Sequence, residues 1–390
     1  MLKTSLIDSL LLLGLLGSIL LPYISIMGVG LYPSFFISLL LIFFIKLKLN
    51  KYSVIIILMV LMVFLSTITT EIKYGYSFNL NNYIEAIKYL QFIPYFLVLN
   101  RIDFRMLQHK LPYWFSFSSL YICFVGFLQV FNPFNLGEVI SKFYLGEDSS
   151  HLQLSSVKRI TLTGSDPNVG GMIASIFLLF NLIYFVEKRK IVYFIFFLLL
   201  SYLVLLTQSR TLIFSNFMVV VAYILLLSKL SFSKRVLLSV SSFVLFVYLF
   251  SYLNLDYVKD GVSLAMSGNN NSANVRLENF QVGVEIFYNN IFFGIGPLKE
   301  SLSTVIDSEY VLIFQRYGLF GVFVFFTLIL NMIYDSIKNF NNLWGVHLFL
   351  VTFLSIFFMI TNNVFSGYQI MSIIVLLIIN NFLMLRKKVC

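Results

Sequence analysis

Apolar residues along this chain gather into runs close to the length of a bilayer crossing, separated by short clusters of Lys, Arg, Asn and Gly. A helix needs roughly 20 apolar residues to span the hydrocarbon core, and in lipid a helix keeps every backbone group satisfied within its own segment. The runs predict helices over residues 6–22, 31–47, 53–70, 83–99, 112–131, 168–186, 191–206, 210–228, 235–252, 309–334, 345–361 and 368–385. The expected fold class is therefore all-α: a polytopic integral membrane protein of about twelve transmembrane helices, with 1–390 as a single membrane domain. Glu85, Lys88, Gln91 and Pro94 interrupt the fourth run, which also reads as an interfacial helix. Met1-Leu2-Lys3 precedes the first run like a secretory leader, but no small-x-small site follows before Pro22, so the run reads as the first crossing.

Composition narrows the picture. Hydrophobic residues make up 59% of the chain and charged residues 11%, against roughly a quarter charged in soluble domains; mean hydropathy is +0.91. The net charge of +10 is dispersed between apolar spans, which argues for topology control and against nucleic-acid binding. Lys and Arg accumulate in short cytoplasmic loops. With both termini inside, the inner side receives Lys3, then Lys46, Lys48 and Lys51, then Arg101, Arg105 and Lys110, then Lys188, Arg189 and Lys190, then Lys229, Lys234 and Arg235, then Lys338, and finally Arg386, Lys387 and Lys388. This leaves two long segments outside, 132–167 and 253–308. Loops beyond roughly 12 to 15 residues usually have a job, so function belongs on the outer face. Cys123 and Cys390 form no framework, His109, His151 and His347 are scattered, and no HExxH, P-loop or Rossmann pattern occurs. No metal and no cofactor is expected.

The candidate chemistry lies in the outer arginines and in the acids at helix starts. Thr207-Gln208-Ser209-Arg210 joins two spans, so helix-start amides, hydroxyls of Ser209 or Thr211 and the Arg210 guanidinium could converge on an anion; a capped turn with a snorkelling arginine is the alternative. In the second outer loop Phe280, Val284, Phe287 and Ile291 share one helical face, opposite Glu278, Gln281, Glu285 and Asn289. That pattern predicts an amphipathic helix on the outer leaflet, with Arg276 facing the membrane surface. Asp307-Ser308-Glu309 opens the tenth span, and Asp307 or Glu309 is a candidate general base, unless the acids serve only the positive end of the helix. Arg316 lies two turns beyond Glu309 and should face a polar cavity. Asp166-Pro167-Asn168 is a helix-start signal, and Arg159, Asp166 and Asn168 are possible substrate contacts.

Four segments carry a resemblance: Arg159 with Gly164-Ser165-Asp166-Pro167-Asn168; Leu206-Thr207-Gln208-Ser209-Arg210; Arg276 with Asn290-Ile291-Phe292-Phe293-Gly294-Ile295-Gly296-Pro297; and Asp307-Ser308 with Gly318-Leu319-Phe320-Gly321. In content and order they resemble the superfamily of O-antigen polymerases (Wzy-type) and O-antigen ligases. The resemblance implies a GT-C-like membrane glycosyltransferase of the bacterial inner membrane. It would be metal-independent, take undecaprenyl-diphosphate-linked glycans as donor and acceptor, and invert the anomeric carbon. It assigns the lipid pyrophosphate to Arg210 and Arg276, and suggests a chain-length regulator (Wzz-type) and a flippase as partners. The ligase branch carries a His where this chain has Asp307; that departure favours a polymerase over an O-antigen ligase transferring glycan to lipid A core. A lipid-linked oligosaccharide flippase or transporter is the alternative of another class, and would place charges along the bundle interior.

Overall fold

The computed structural model describes residues 2–26, 29–45, 48–75, 78–102, 104–145, 159–227, 231–252, 258–259, 263, 271–298 and 308–389. The chain opens with α1 (Leu2–Leu20), then a two-stranded antiparallel hairpin of β1 (Ile24–Ile26) and β2 (Val29–Leu31), then α2 (Pro33–Ile42) and α3 (Lys51–Tyr74). Three short helices follow: α4 (Leu80–Ile84), α5 (Ile87–Leu90) and α6 (Ile93–Leu97). Beyond them run α7 (Phe104–Phe131), α8 (Leu136–Leu145), α9 (Pro167–Lys188), α10 (Ile191–Leu206), α11 (Arg210–Ala222) and α12 (Phe232–Tyr252). The last four are α13 (Asn271–Asn289), α14 (Glu309–Lys338), α15 (Leu343–Phe358) and α16 (Tyr368–Val389). Among the described residues, five helices are long and apolar enough to cross a membrane, over Lys51–Tyr74, Leu107–Phe131, Pro167–Lys188, Glu309–Lys338 and Tyr368–Arg386; five shorter apolar helices accompany them.

Each expected span except the fourth falls on one helix, with α11 continued by a π-helical turn over Tyr223–Leu227 and α14 broken at Gly318. The fourth is divided into α4, α5 and α6, because Glu85 and Gln91 are drawn into the interior, 1% and 2% exposed. The short α2, which covers only part of the expected 31–47 span, packs on α6. Broken backbone at membrane depth is tolerated only where protein satisfies it, and here protein does: Ser34 Oγ donates to Gln91 Oε1 at 2.9 Å, Tyr95 Oη donates to the Ser34 carbonyl at 2.9 Å, and the Ser34 amide donates to Ser18 Oγ at 2.7 Å. The fifth span begins earlier than expected, at Phe104, and carries Pro112 inside it.

At the centre of the bundle lies α9, whose residues Gly170 through Tyr184 are all buried. It packs against α7, α10, α11, α15 and α16. Without a hydrophobic drive between helices in lipid, small residues and interhelical hydrogen bonds hold such a bundle. Gly171 lets α11 approach closely, since a Cβ there would meet Leu212 Cδ2 at 2.5 Å. Asn181 donates to Ser119 Oγ at 2.8 Å and Asn216 donates to Ser175 Oγ at 2.7 Å, while His347 Nε2 meets the Ile176 carbonyl at 2.9 Å.

The two ends of the bundle differ in chemistry. At one end Lys51 pairs with Asp335 at 2.5 Å, Tyr52 Oη donates to the same carboxylate at 2.8 Å, and Arg386 donates to Asn100 at 2.7 Å. These residues fall in the groups that the charge pattern places inside. The opposite end gathers the starts of α2, α9, α11, α14 and α16, and the candidate site lies there.

Candidate functional site

The segment before α9 is fixed from several sides. Asp166 caps the helix, its carboxylate accepting from the amides of Asn168 at 2.7 Å and Val169 at 3.0 Å, with Pro167 at the first position. Gln129 on α7 accepts from the amides of Thr161 and Leu162 at 3.2 and 2.8 Å, and its amide nitrogen donates to the Leu162 carbonyl at 3.0 Å. Arg159 Nε donates to the Thr207 carbonyl at 2.8 Å and an Nη donates to Asn168 Oδ1 at 3.2 Å. The first two segments of the resemblance therefore dock on each other, and Arg159 serves that junction.

Between α10 and α11 the chain reverses at Gln208, whose φ of +53° belongs to the left-handed region. Thr207 Oγ1 is turned back to the Val204 carbonyl at 2.7 Å. Ser209 precedes α11 without a side-chain cap, and half-buried Arg210 is its first residue. The first turn of a helix leaves amide donors without intrahelical partners and carries the positive end of the macrodipole. A guanidinium at such a start suits an oxyanion better than a cap would.

The fourth segment is broken in the middle. Gly318 adopts φ 57° and ψ −153° inside α14, a conformation essentially confined to glycine. The break receives the third segment: the Leu319 and Phe320 amides donate to the Ile291 and Phe292 carbonyls at 2.8 and 3.0 Å, and the Ile295 and Gly296 amides donate to the Gln315 and Arg316 carbonyls at 3.0 and 2.8 Å. A Cβ on Gly318 would lie 2.6 Å from the Ile291 carbonyl oxygen. The Gly-x-x-Gly run and the Gly-Ile-Gly-Pro turn thus form one joint.

Glu309 departs from the role expected of it. Its carboxylate is wholly buried and accepts from three consecutive amides, Val364, Phe365 at 2.9 Å and Ser366 at 3.0 Å. Its own amide donates to the Met359 carbonyl at 3.1 Å, and Ser308 Oγ donates to the same oxygen at 3.2 Å. A carboxylate so engaged anchors the 359–366 loop. Asp307, the other candidate base, lies outside the described residues.

That loop is what sequence reading missed. Thr361 Oγ1 donates to Thr211 Oγ1 at 2.8 Å, and Gln369 donates to the Thr163 carbonyl at 2.9 Å. The segment 359–369 therefore touches the starts of α9, α11 and α14. Its only signal in the sequence is the polar run Thr361-Asn362-Asn363 between two apolar spans.

Arg276 sits exposed on α13, which begins at Asn271. That helix docks on α14 through Gly283, buried against Val311, and through Phe287, whose ring meets Phe314 edge-on at 5.4 Å. Phe280 and Ile291 of the expected membrane face are 50% and 39% exposed, so the face is divided between α14 and the surroundings. Arg316 lies 3.9 Å from Glu85, which Lys88 holds at 2.6 Å. Glu85 and Lys88 look in the sequence like mere interruptions of a span. Among the described site residues, Arg159, Asp166, Asn168 and Arg210 lie around Thr207, and Arg316 lies with Glu85 and Lys88, while Arg276 stands on α13 and Glu309 holds the 364–366 loop.

The described apolar helices, with the starts of five of them and their polar flanking segments gathered at one end, have the character of a membrane protein. Residues 194–326 match the family model Wzy_C, described as O-antigen ligase. That match, from α10 to the middle of α14, agrees with membership of the O-antigen polymerase and ligase superfamily. No curated protein matches the chain.

Proposed function

We propose that this chain is an O-antigen (surface polysaccharide) polymerase with a GT-C-like, roughly twelve-span architecture. It joins undecaprenyl-diphosphate-linked oligosaccharide repeats at the periplasmic face of the bacterial inner membrane, with its termini cytoplasmic. Members of the matched family are glycosyltransferase-like enzymes that act on lipid-linked glycans. The observation that carries the reading is the start of α11: Arg210 stands on an uncapped helix N-terminus, walled by the Arg159–Asn168 segment and by Thr361. As the glycosidic bond breaks, negative charge collects on the departing lipid diphosphate. Fixed amide dipoles and guanidinium groups can stabilise that charge without a divalent ion.

In this proposal Arg210 and Arg276 grip the diphosphate, and Arg159, Asp166 and Asn168 keep the Arg210 turn in place. Asp307 takes the proton from the acceptor hydroxyl as that oxygen attacks the donor's anomeric carbon with inversion. A chain-length regulator and a flippase are the proposed partners. Arg210→Ala and Arg276→Ala should abolish long-chain polymer while the protein still inserts, read as loss of the ladder on a lipopolysaccharide gel. A normal ladder from either variant would remove the diphosphate assignment.

The description of the matched family favours a second reading, O-antigen ligase. The same gel separates them in a deletion strain. Loss of a polymerase leaves core carrying one repeat, whereas loss of a ligase leaves bare core and accumulating lipid-linked polymer.

A further inference from the structure

Beside the diphosphate mouth, three tyrosines from distant parts of the chain form a ladder. Tyr23 and Tyr32 flank the β1–β2 hairpin with ring centroids 5.7 Å apart, and Tyr32 meets Tyr368, the first residue of α16, at 5.4 Å. Lys88 Nζ stands 5.6 Å from the Tyr368 centroid, and the same ammonium binds Glu85 at 2.6 Å, which in turn lies 3.9 Å from Arg316. Exposure is unequal within this group: the Lys88 and Arg316 side chains keep 23% and 19% of their surface, while Glu85 keeps 1%. The accessible chemistry is therefore two cationic donors beside a run of rings, with the carboxylate tucked behind them.

An interfacial aromatic belt does not explain this arrangement. Tyr32 is 7% exposed, and the ladder ends on charged side chains that belong in an aqueous recess. A ligand suited to it has an apolar C–H face to lie on a ring and oxygen acceptors at its edge for Lys88 and Arg316. A sugar ring has both. The ladder also joins the mouth already described, since Gln369, next to Tyr368, holds the Thr163 carbonyl in the segment that Arg159 fixes.

We propose that Tyr23 and Tyr368, set in place by the buried Tyr32 between them, with Lys88 and Arg316 oriented by Glu85, form a saccharide subsite that receives a sugar of the lipid-linked glycan. The assignment rests on the glycosyltransferase reading above for the origin of the sugar. It places recognition of the repeat unit on residues separate from those that grip the diphosphate.

The probe is the oligosaccharide repeat released by hydrolysis from the strain's own polysaccharide, titrated against the full-length protein in detergent. Wild type should bind it, and Arg210→Ala should bind it equally, because the probe carries no diphosphate. Tyr368→Leu and Lys88→Gln should lose binding and raise KM for the lipid-linked repeat roughly tenfold or more, with kcat changed far less. Tyr368→Phe keeps the ring and should keep affinity; half-buried Tyr23 offers Tyr23→Leu as a variant that leaves the core untouched. If wild type binds no oligosaccharide, or Tyr23→Leu, Tyr368→Leu and Lys88→Gln all bind like wild type, the subsite is overturned while polymerase activity can still stand. If wild type binds the oligosaccharide through these rings yet never extends a lipid-linked repeat, the proposed function falls and the saccharide site survives.

Discussion

An acid at the first turn of a helix has two ordinary uses, to complement the macrodipole or to do chemistry, and Glu309 has neither as its main occupation. It is the fastening of the loop after α15, with three amides of residues 364–366 converging on one buried carboxylate. Glu309→Gln would set a donor nitrogen against amides that need acceptors. A buried hydrogen bond to a charged group is worth about 1.5–3 kcal/mol, so the variant should lose on the order of that much stability. The check is thermal unfolding in detergent beside chain extension per folded molecule. An unchanged melting temperature with activity gone would restore Glu309 as a base. Sequence reading saw the helix start correctly, but the partners that decide this residue's role lie about fifty positions away, where no local pattern reports them. Asp166 was legible in full, because its cap partners are its own neighbours, Asn168 and Val169.

Among the elements, α14 shows how a helix can be long and yet be two. Its break at Gly318 admits the 291–296 strand of backbone, whose amides and carbonyls complete the ladder on either side. Gly318→Ala meets both a forbidden φ and carbonyl and amide atoms within 2.8 Å of the new Cβ. Gly75, at the end of α3, also has a positive φ of 66° but nothing within 4 Å. Gly75→Ala should therefore cost only the backbone term, about 1 kcal/mol, whereas Gly318→Ala should cost several times more and open the joint. Limited proteolysis within 291–296 reads the difference. The hydrophobic pattern gave α14 its length and hid its division, since apolar residues run through the break without a pause. It treated the fourth span the other way, reading Glu85 and Lys88 as blemishes in one helix, when the attraction of Glu85 to Lys88 and Arg316 is part of what divides that helix into α4, α5 and α6.

For the whole molecule, polarity is distributed by end. Lys51, Asp335, Asn100 and Arg386 gather opposite the mouth where Arg210 stands. Lys and Arg left on the cytoplasmic side set orientation, and under that rule the proposed mouth faces the periplasm. In a variant with Cys390 removed and Cys123 left buried, cysteines at positions 210 and 276 should react with a membrane-impermeant maleimide in intact cells. A cysteine at position 338 should react only after permeabilisation. The reverse pattern would place the site in the cytosol and end the proposed chemistry. At this level the all-helical, apolar class was legible in the sequence, because the burial of apolar runs depends on composition over tens of residues and needs no knowledge of which side chains meet.

The division of α14 has a mechanical corollary. Residues 309–317 are tied at both ends, by the amide clasp at 364–366 and by the backbone joint at Gly318, with Arg316 between the two. If the proposed subsite holds a sugar on Arg316, the load falls on a segment fixed at both ends, one of which continues through Thr361 to the first turn of α11.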